Sequence, residues 1–354
     1  MAGPVLSQGV RTLFLFSLLV LSASAELLAT PTPIKVVVIA TFEIGADSGD
    51  VPGELQNWVE REHLTNPIKV PGMDHAVYVT QSGLMVVVSG ATSRCAIQIQ
   101  SLVLDPRFDF TRAYWMLAGI AGVDPAEASI GSAAWARYVV DGDDAYEVDP
   151  REVSGDWPYG ILVLGADRPN VKPPPQGWEP AKMSYELNPA LVARAYSLTK
   201  DVKLEDTPQM KAYRGAYIGF PNAQKPPFVL LGDVLGCNRY WHGEHLTHWA
   251  RDWVKLMTDG KGEFAMSAME DQGVALALHS LAQQQKVDFR RVLFLRTASN
   301  YCMQSPKQGV IDSLKGNSGA FLPSLDAAYS VGSAVVHDIL NNWDDVYAKG
   351  VDSP

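Results

Sequence analysis

"AMSAMEDQGVALAL" (Ala265 to Leu278) changes period in its middle, and that change decides the fold class. Up to Met269 it is a short apolar run of the kind that forms a buried strand. Glu270 and Asp271 then sit where a helix would open, with carboxylates facing the positive end of its dipole. After them "QGVALAL" continues into "HSLAQQQ" with helical spacing. A strand that runs directly into a capped helix is the repeating unit of an α/β sheet.

The same alternation extends outward in both directions. "KVVVIA" (Lys35), "AVYVT" (Ala76), "LMVVVSG" (Leu84), "AYWMLAGIAG" (Ala113), "GILVLG" (Gly160), "FVLLGDV" (Phe228) and "RVLFLRTAS" (Arg291) read as strands. Helical spacing falls in "SRCAIQIQSLVLD", with Ser93 available as a cap, and in "LNPALVARAYSLTK", with Pro189 placed for a first turn. The longest helical pattern is "PSLDAAYSVGSAVVHDILNNW" near the end. The expectation is one α/β domain over 34–354, a central twisted mixed sheet flanked by helices. Only "ADRPNVKPPPQGWEP" (Ala166 to Pro180) breaks the rhythm; five prolines in fifteen residues mark a surface excursion.

Bulk properties exclude several classes of function. The chain has 354 residues, 47% of them hydrophobic, which is ample for a large core. A formal charge of −10 argues against nucleic-acid partners, which need surplus Lys and Arg. Cys95, Cys237 and Cys302 have no paired spacing, so they imply neither a disulfide framework nor a zinc site. Arg11, the apolar run Leu13 to Ala25 and the small residues Ala23 and Ala25 form a signal-peptide pattern. Residues 1–25 are therefore expected to be cleaved, with an uncleaved membrane anchor as the alternative, and 26–33, with "ATPTP", to be a linker. The protein would then be exported to a periplasmic, cell-surface or extracellular location. No other segment reaches ~18 uninterrupted apolar residues, so the mature chain is expected not to span a membrane.

Ligands of α/β sheets sit beyond the carboxyl ends of the strands, and four such ends carry suggestive residues. Glu43 follows the first strand, as a desolvated base or as an ordinary loop acid. Gly119 and Gly122 let the backbone approach a ligand, or simply make a tight turn. Glu270 could accept two sugar hydroxyls, or only cap its helix. Asn300 could present an amide to a ligand, or only make a turn.

A fifth stretch, "NRYWHGEHLTHWARDW" (Asn238 to Trp253), carries three histidines and three tryptophans. Histidines at i, i+3 and i+6 cannot share one helix face, since i and i+6 diverge by about 240° at 100° per residue. No metal site is expected. The stretch divides into a loop, in which Tyr240 and Trp241 offer ring faces and His242 a hydrogen bond, and an amphipathic helix from Glu244 with Trp249, Trp253 and Leu256 at core spacing.

The order and wording of "SGATSRCAI", "LAGIAGV", "SAMEDQGVALA" and "FLRTASN" resemble the nucleoside phosphorylase and nucleosidase superfamily over nearly all of 34–349. More narrowly, "MEDQG", "RTASNY" and "RYWHG" followed by "W..DWVKLMTDGKG" resemble the purine nucleoside permease family. Without membrane spans, that label would describe uptake and not a channel. The resemblance implies a nucleoside phosphorylase-like fold and a purine nucleoside as ligand. It places Met269 and Glu270 on the ribose hydroxyls, Ala121 and Gly122 along the base, Tyr240 (then Trp241) as a ring stacked on the purine, and Glu43 near the attacking water. Relatives of this fold commonly assemble, so a homo-oligomer is implied too.

Two departures shape the expected chemistry. Asn300 stands where the hydrolytic branch has an acid; an amide can hydrogen-bond to N7 and O6 but cannot protonate N7. Phosphorylases specific for 6-oxopurines use an asparagine in a comparable role, so the resemblance implies inosine and guanosine ahead of adenosine. Leu117 and Ile120 stand where bacterial phosphorylases place an arginine and a serine for phosphate; Arg94 could compensate, or be an ordinary surface arginine at a helix start. Cleavage of the N-glycosidic bond by water is expected ahead of phosphorolysis, with no cofactor and phosphate only as a conceivable co-substrate. The rival is a non-catalytic protein that binds nucleoside and passes it intact to an uptake system.

Overall fold

Val36–Ala40 is a run of five apolar residues, all buried, as a strand covered on both faces requires. A computed structural model describes residues 30–351 apart from 154, 156 and 173–181. The signal-like segment, residues 26–29 of the expected linker, and 173–181 of the proline-rich excursion lie outside the described residues. Pro31–Pro354 forms one compact unit.

Val36–Ala40 lies parallel to Leu84–Val88 on one side and to Tyr114–Val123 on the other. Tyr114–Val123 also runs parallel to Val292–Tyr301, and antiparallel to Phe264–Ala268. Beyond Phe264–Ala268 come Asp233–Gly236 and Tyr138–Asp141, both parallel to their inner neighbour, and then antiparallel Ser184–Glu186. Twelve strands join this mixed sheet among the described residues. The helix Phe321–Asn341 packs on the two long central strands, and Cys95–Val103 packs on Asp271–Gln283. The α/β class and mixed sheet are as the strand–helix alternation implies.

The two ten-residue central strands position the site. Along one edge of Tyr114–Val123, residues 114–117 pair with Val36–Ile39, and Gly122 and Val123 pair with Ser267 and Met266. Between these two pairings no strand is present among the described residues. Buried backbone groups still need partners, and at Ile120 side chains supply them. Ile120 N–H donates to Glu54 Oε1 at 2.7 Å, and its carbonyl accepts from Arg296 Nη1 at 2.8 Å. This break in the ladder, at the carboxyl end of the first strand, is where the functional residues gather.

Several local expectations shift. The "FVLLGDV" run is two strands, Val229–Leu231 and Asp233–Gly236. Gly232 separates them where an added Cβ would collide with Ala265 Cβ. Ser93 is not the cap of its helix: Thr92–Arg94 forms a turn of 3-10 helix first, and the α-helix begins at Cys95. Asn300 does not follow its strand but lies within it, because a bulge between Ala298 and Asn300 lengthens the ladder to Tyr301. The helix Glu244–Met257 begins where expected, with Trp249 and Trp253 buried.

Candidate functional site

Arg296 stands inside the apolar run "VLFLRTAS", and its side chain is 0% exposed. A buried guanidinium must be paired. Nη2 meets Glu270 Oε2 at 2.8 Å, Nε reaches Asp271 Oδ2 at 3.0 Å with a second, shorter contact from Nη2, and Nη1 lies 3.8 Å from Glu54 Oε1. Burial opposes the guanidinium's charge, but Asp271, Glu270 and Glu54 together hold its pKa above the ordinary value.

Glu54 is fully buried at the carboxyl end of the first strand. One of its oxygens accepts from Thr41 N at 2.6 Å and Thr41 Oγ1 at 2.8 Å; the other accepts from Ile120. Burial pushes this carboxyl up to about 7, with Arg296 pulling it down and Glu270 pushing it further up. Glu270, which the strand–helix junction projects over Arg296, is held above its usual range mainly by burial. One cation faces three carboxylates. A carboxyl titrating near neutrality can exchange protons with a bound water at little cost.

The Gly122 end of the ladder break is neutral. Gly122 pairs with Ser267 on one side and Asn300 on the other, so three strand ends meet there. A Cβ at Gly122 would lie 2.8 Å from Ser267 Oγ and 3.1 Å from Asn300 Nδ2. Asn300 Nδ2 lies 3.0 Å from Tyr240 Oη and 2.9 Å from the Tyr301 carbonyl; Asn300 Oδ1 accepts from Ser299 Oγ at 3.0 Å. Tyr240 is 55% exposed. The loop that carries it is tied down at Asn238, whose Oδ1 accepts from Ser93 N at 2.7 Å and whose Nδ2 donates to Asp143 at 2.7 Å.

The structure thus gathers Glu270, Met269, Gly119, Ala121, Gly122, Asn300 and Tyr240 around one break in the sheet. It turns Glu43, Trp241 and His242 to other partners. Glu43, expected near the chemistry, spends its carboxylate on backbone: Oε1 accepts from Ile44 N and Gly53 N, Oε2 from Leu55 N and Gln56 N, at the start of the Gln56–Arg61 helix. Trp241 is not a stacking face. Its ring is buried against Trp249 at 5.9 Å and Phe264 at 6.0 Å, in a cluster with Trp253. His242 bonds through Nε2 to Ser313 Oγ at 3.0 Å, and burial lowers its pKa. Arg94 is exposed on the 3-10 turn. Leu117 is buried in the core, and Ile120 contributes only backbone to the cluster.

Glu54 and Arg296 are the residues that reading the sequence missed. Arg296 had a signal, a lone cation in the middle of an apolar strand, which forces carboxylates to converge on it. Glu54 in "VPGELQNW" had none until the ladder break placed it. Among the described residues no group of three or more His, Cys, Asp or Glu could hold a metal ion.

The family model described as purine nucleoside permease (NUP) matches residues 33–352. A purine nucleoside permease of Candida albicans is 27% identical over 326 residues, covering 89% of this chain and 77% of that protein. A probable purine nucleoside permease of Schizosaccharomyces pombe is 29% identical over 323 residues, covering 87% of this chain and 90% of the relative. Among solved structures, a 5'-methylthioadenosine/S-adenosylhomocysteine nucleosidase of Helicobacter pylori superposes with a TM-score of 0.52 at 12% identity, over 86% of this chain and 99% of that one. At such identity the likeness establishes the fold, which is nucleoside phosphorylase-like. Among the described residues no helix is long and apolar enough to cross a membrane.

Proposed function

The chain belongs to the purine nucleoside permease family, and we propose that it binds a purine nucleoside across the ladder break and cleaves its N-glycosidic bond with water. The carrying observation is that two chemically opposite groups flank one strand segment. Arg296 and Glu54 abut Gly119, with Glu270 paired to Arg296, while Asn300 abuts Gly122 and bonds to Tyr240. Those glycines are three residues apart, about 10 Å of strand, the scale of a sugar joined to a bicyclic base. The names of the fungal relatives and of the structural neighbour point to the same ligand class.

Breaking the bond builds positive charge on the sugar and negative charge on the departing base. Carboxylates around the sugar stabilise the first and hydrogen-bond donors around the base the second. Glu270 accepts the ribose hydroxyls, with Met269 beside it. The backbone of Ala121 and Gly122 runs along the base, and Asn300 with Tyr240 closes the base end. Glu54, poised near neutrality, holds the attacking water in place of Glu43.

Water is favoured over phosphate on electrostatic grounds. The buried guanidinium of Arg296 is already outnumbered by Glu54, Glu270 and Asp271, so a phosphate dianion would meet net negative charge there. Inosine and guanosine are the preferred substrates, because no acid at position 300 can protonate N7. The relatives' permease names keep a second reading in view, in which nucleoside is bound and handed on uncleaved. Incubating inosine with the pure protein separates the two: free hypoxanthine supports cleavage, and intact inosine bound stoichiometrically supports carriage alone. The signal-peptide pattern of residues 1–25 supports work on nucleosides outside the cytoplasm.

A further inference from the structure

The direction of one hydrogen bond reassigns the group that greets the base. Asn300 Nδ2 lies 2.9 Å from the Tyr301 carbonyl, and a carbonyl can only accept. That contact fixes which end of the amide is nitrogen. One Nδ2 proton goes to Tyr301 O and the other to Tyr240 Oη at 3.0 Å, while Oδ1 faces Ser299 Oγ at 3.0 Å. The amide has no proton left for a ligand. Tyr240 Oη accepts from an amide that cannot accept in return, so its own proton must point elsewhere. Tyr240 itself is 55% exposed.

We propose that Tyr240, through its hydroxyl, is the specificity-determining donor to the acceptor edge of the purine, with Asn300 as the residue that orients it. The inference rests on the reading that this cleft takes a purine nucleoside, and it deepens that reading. The hydroxyl addresses N7, together with O6 when the base is a 6-oxopurine. Accepting from Asn300 polarises the phenol, which strengthens the bond it donates. An exocyclic amine at C6 would set a second donor beside the phenol's own, so 6-aminopurines fit less well. A ring that reaches the base through its hydroxyl lies beyond the edge of the purine and not over its face. Tyr240 therefore does not stack.

The test is titration calorimetry of wild type and Tyr240→Phe with inosine and with 7-deazainosine, whose N7 is a C–H. Tyr240→Phe keeps any stacking face and removes only the hydroxyl. Wild type is expected to prefer inosine by about 5-fold, the factor of one neutral hydrogen bond. Tyr240→Phe should lose that factor on inosine and bind both ligands equally. If the variant still prefers inosine, another group supplies the donor and the proposal is overturned while nucleoside binding stands. If wild type binds neither ligand nor guanosine, the nucleoside reading falls and takes this proposal with it.

Discussion

Gly119 and Gly122 sit three residues apart on one strand, yet the two ends of the cleft they mark are built from opposite materials. At Gly119 an added Cβ would run into Glu54 Oε1 and lie 2.7 Å from Arg296 Nη1, both held by further buried partners. At Gly122 it would meet the tips of two uncharged side chains, 2.8 Å from Ser267 Oγ and 3.1 Å from Asn300 Nδ2. The first end is charged and buried; the second is neutral, hydroxyl-rich and, at Tyr240, exposed. Burying one cation among three carboxylates is costly, and well-packed apolar residues often serve stability as well or better. Such a cluster at a strand end is therefore better explained by chemistry on a ligand than by stability. The softer end suits recognition, where small differences between bases are read.

The largest expected effect comes from breaking the charged end. Glu270→Ala removes the acceptor for both ribose hydroxyls but leaves Arg296 paired with Asp271, so the protein should fold and lose at least ~100-fold in inosine affinity by calorimetry. A loss under threefold would mean that the sugar is not held there. Next is Glu54→Gln. Because the carboxyl is raised from 4.5 to about 7 in the folded protein, its stability contribution is full below pH 4.5 and is lost as pH rises through 7. Wild type should thus lose up to about 3 kcal/mol relative to Glu54→Gln between pH 4.5 and 8, read as diverging Tm values. In activity assays, kcat/KM of wild type should rise with pH through about 7, and the variant should lack that rise.

The contrast between the two glycines is itself measurable. Gly119→Ala should cost about 2 kcal/mol, a Tm drop of roughly 5 °C, and Gly122→Ala less than half as much. Equal losses would show that the two ends are equally rigid. The smallest effect belongs to the neutral end, where turnover of inosine should exceed that of adenosine about 5-fold, a hydrogen bond's worth of discrimination. Equal turnover would remove the argument from Asn300.

The charged and neutral ends were also unequally legible in the sequence. Strand and helix periods are local, so "KVVVIA", "AYWMLAGIAG" and the Asp271–Gln283 helix could be read directly. Glu270 and Asn300 were legible because each sits beside a strand–helix or strand–loop junction with a strong local pattern. Glu54 was not, because what recruits it is a gap between two strand pairings distant in sequence. Proximity to the first strand suggested Glu43 instead, but the backbone N–H groups of Ile44, Gly53, Leu55 and Gln56 claim it. Trp241 misled for a similar reason: an aromatic beside Tyr240 reads as a second ring face until Trp249 and Phe264 close over it.

The most direct measurement is chromatography of inosine after incubation with the pure protein in phosphate-free buffer and again with phosphate added. Hypoxanthine and ribose appearing at the same rate in both is the predicted result. Inosine left intact, or base released only when phosphate is present, would contradict the account.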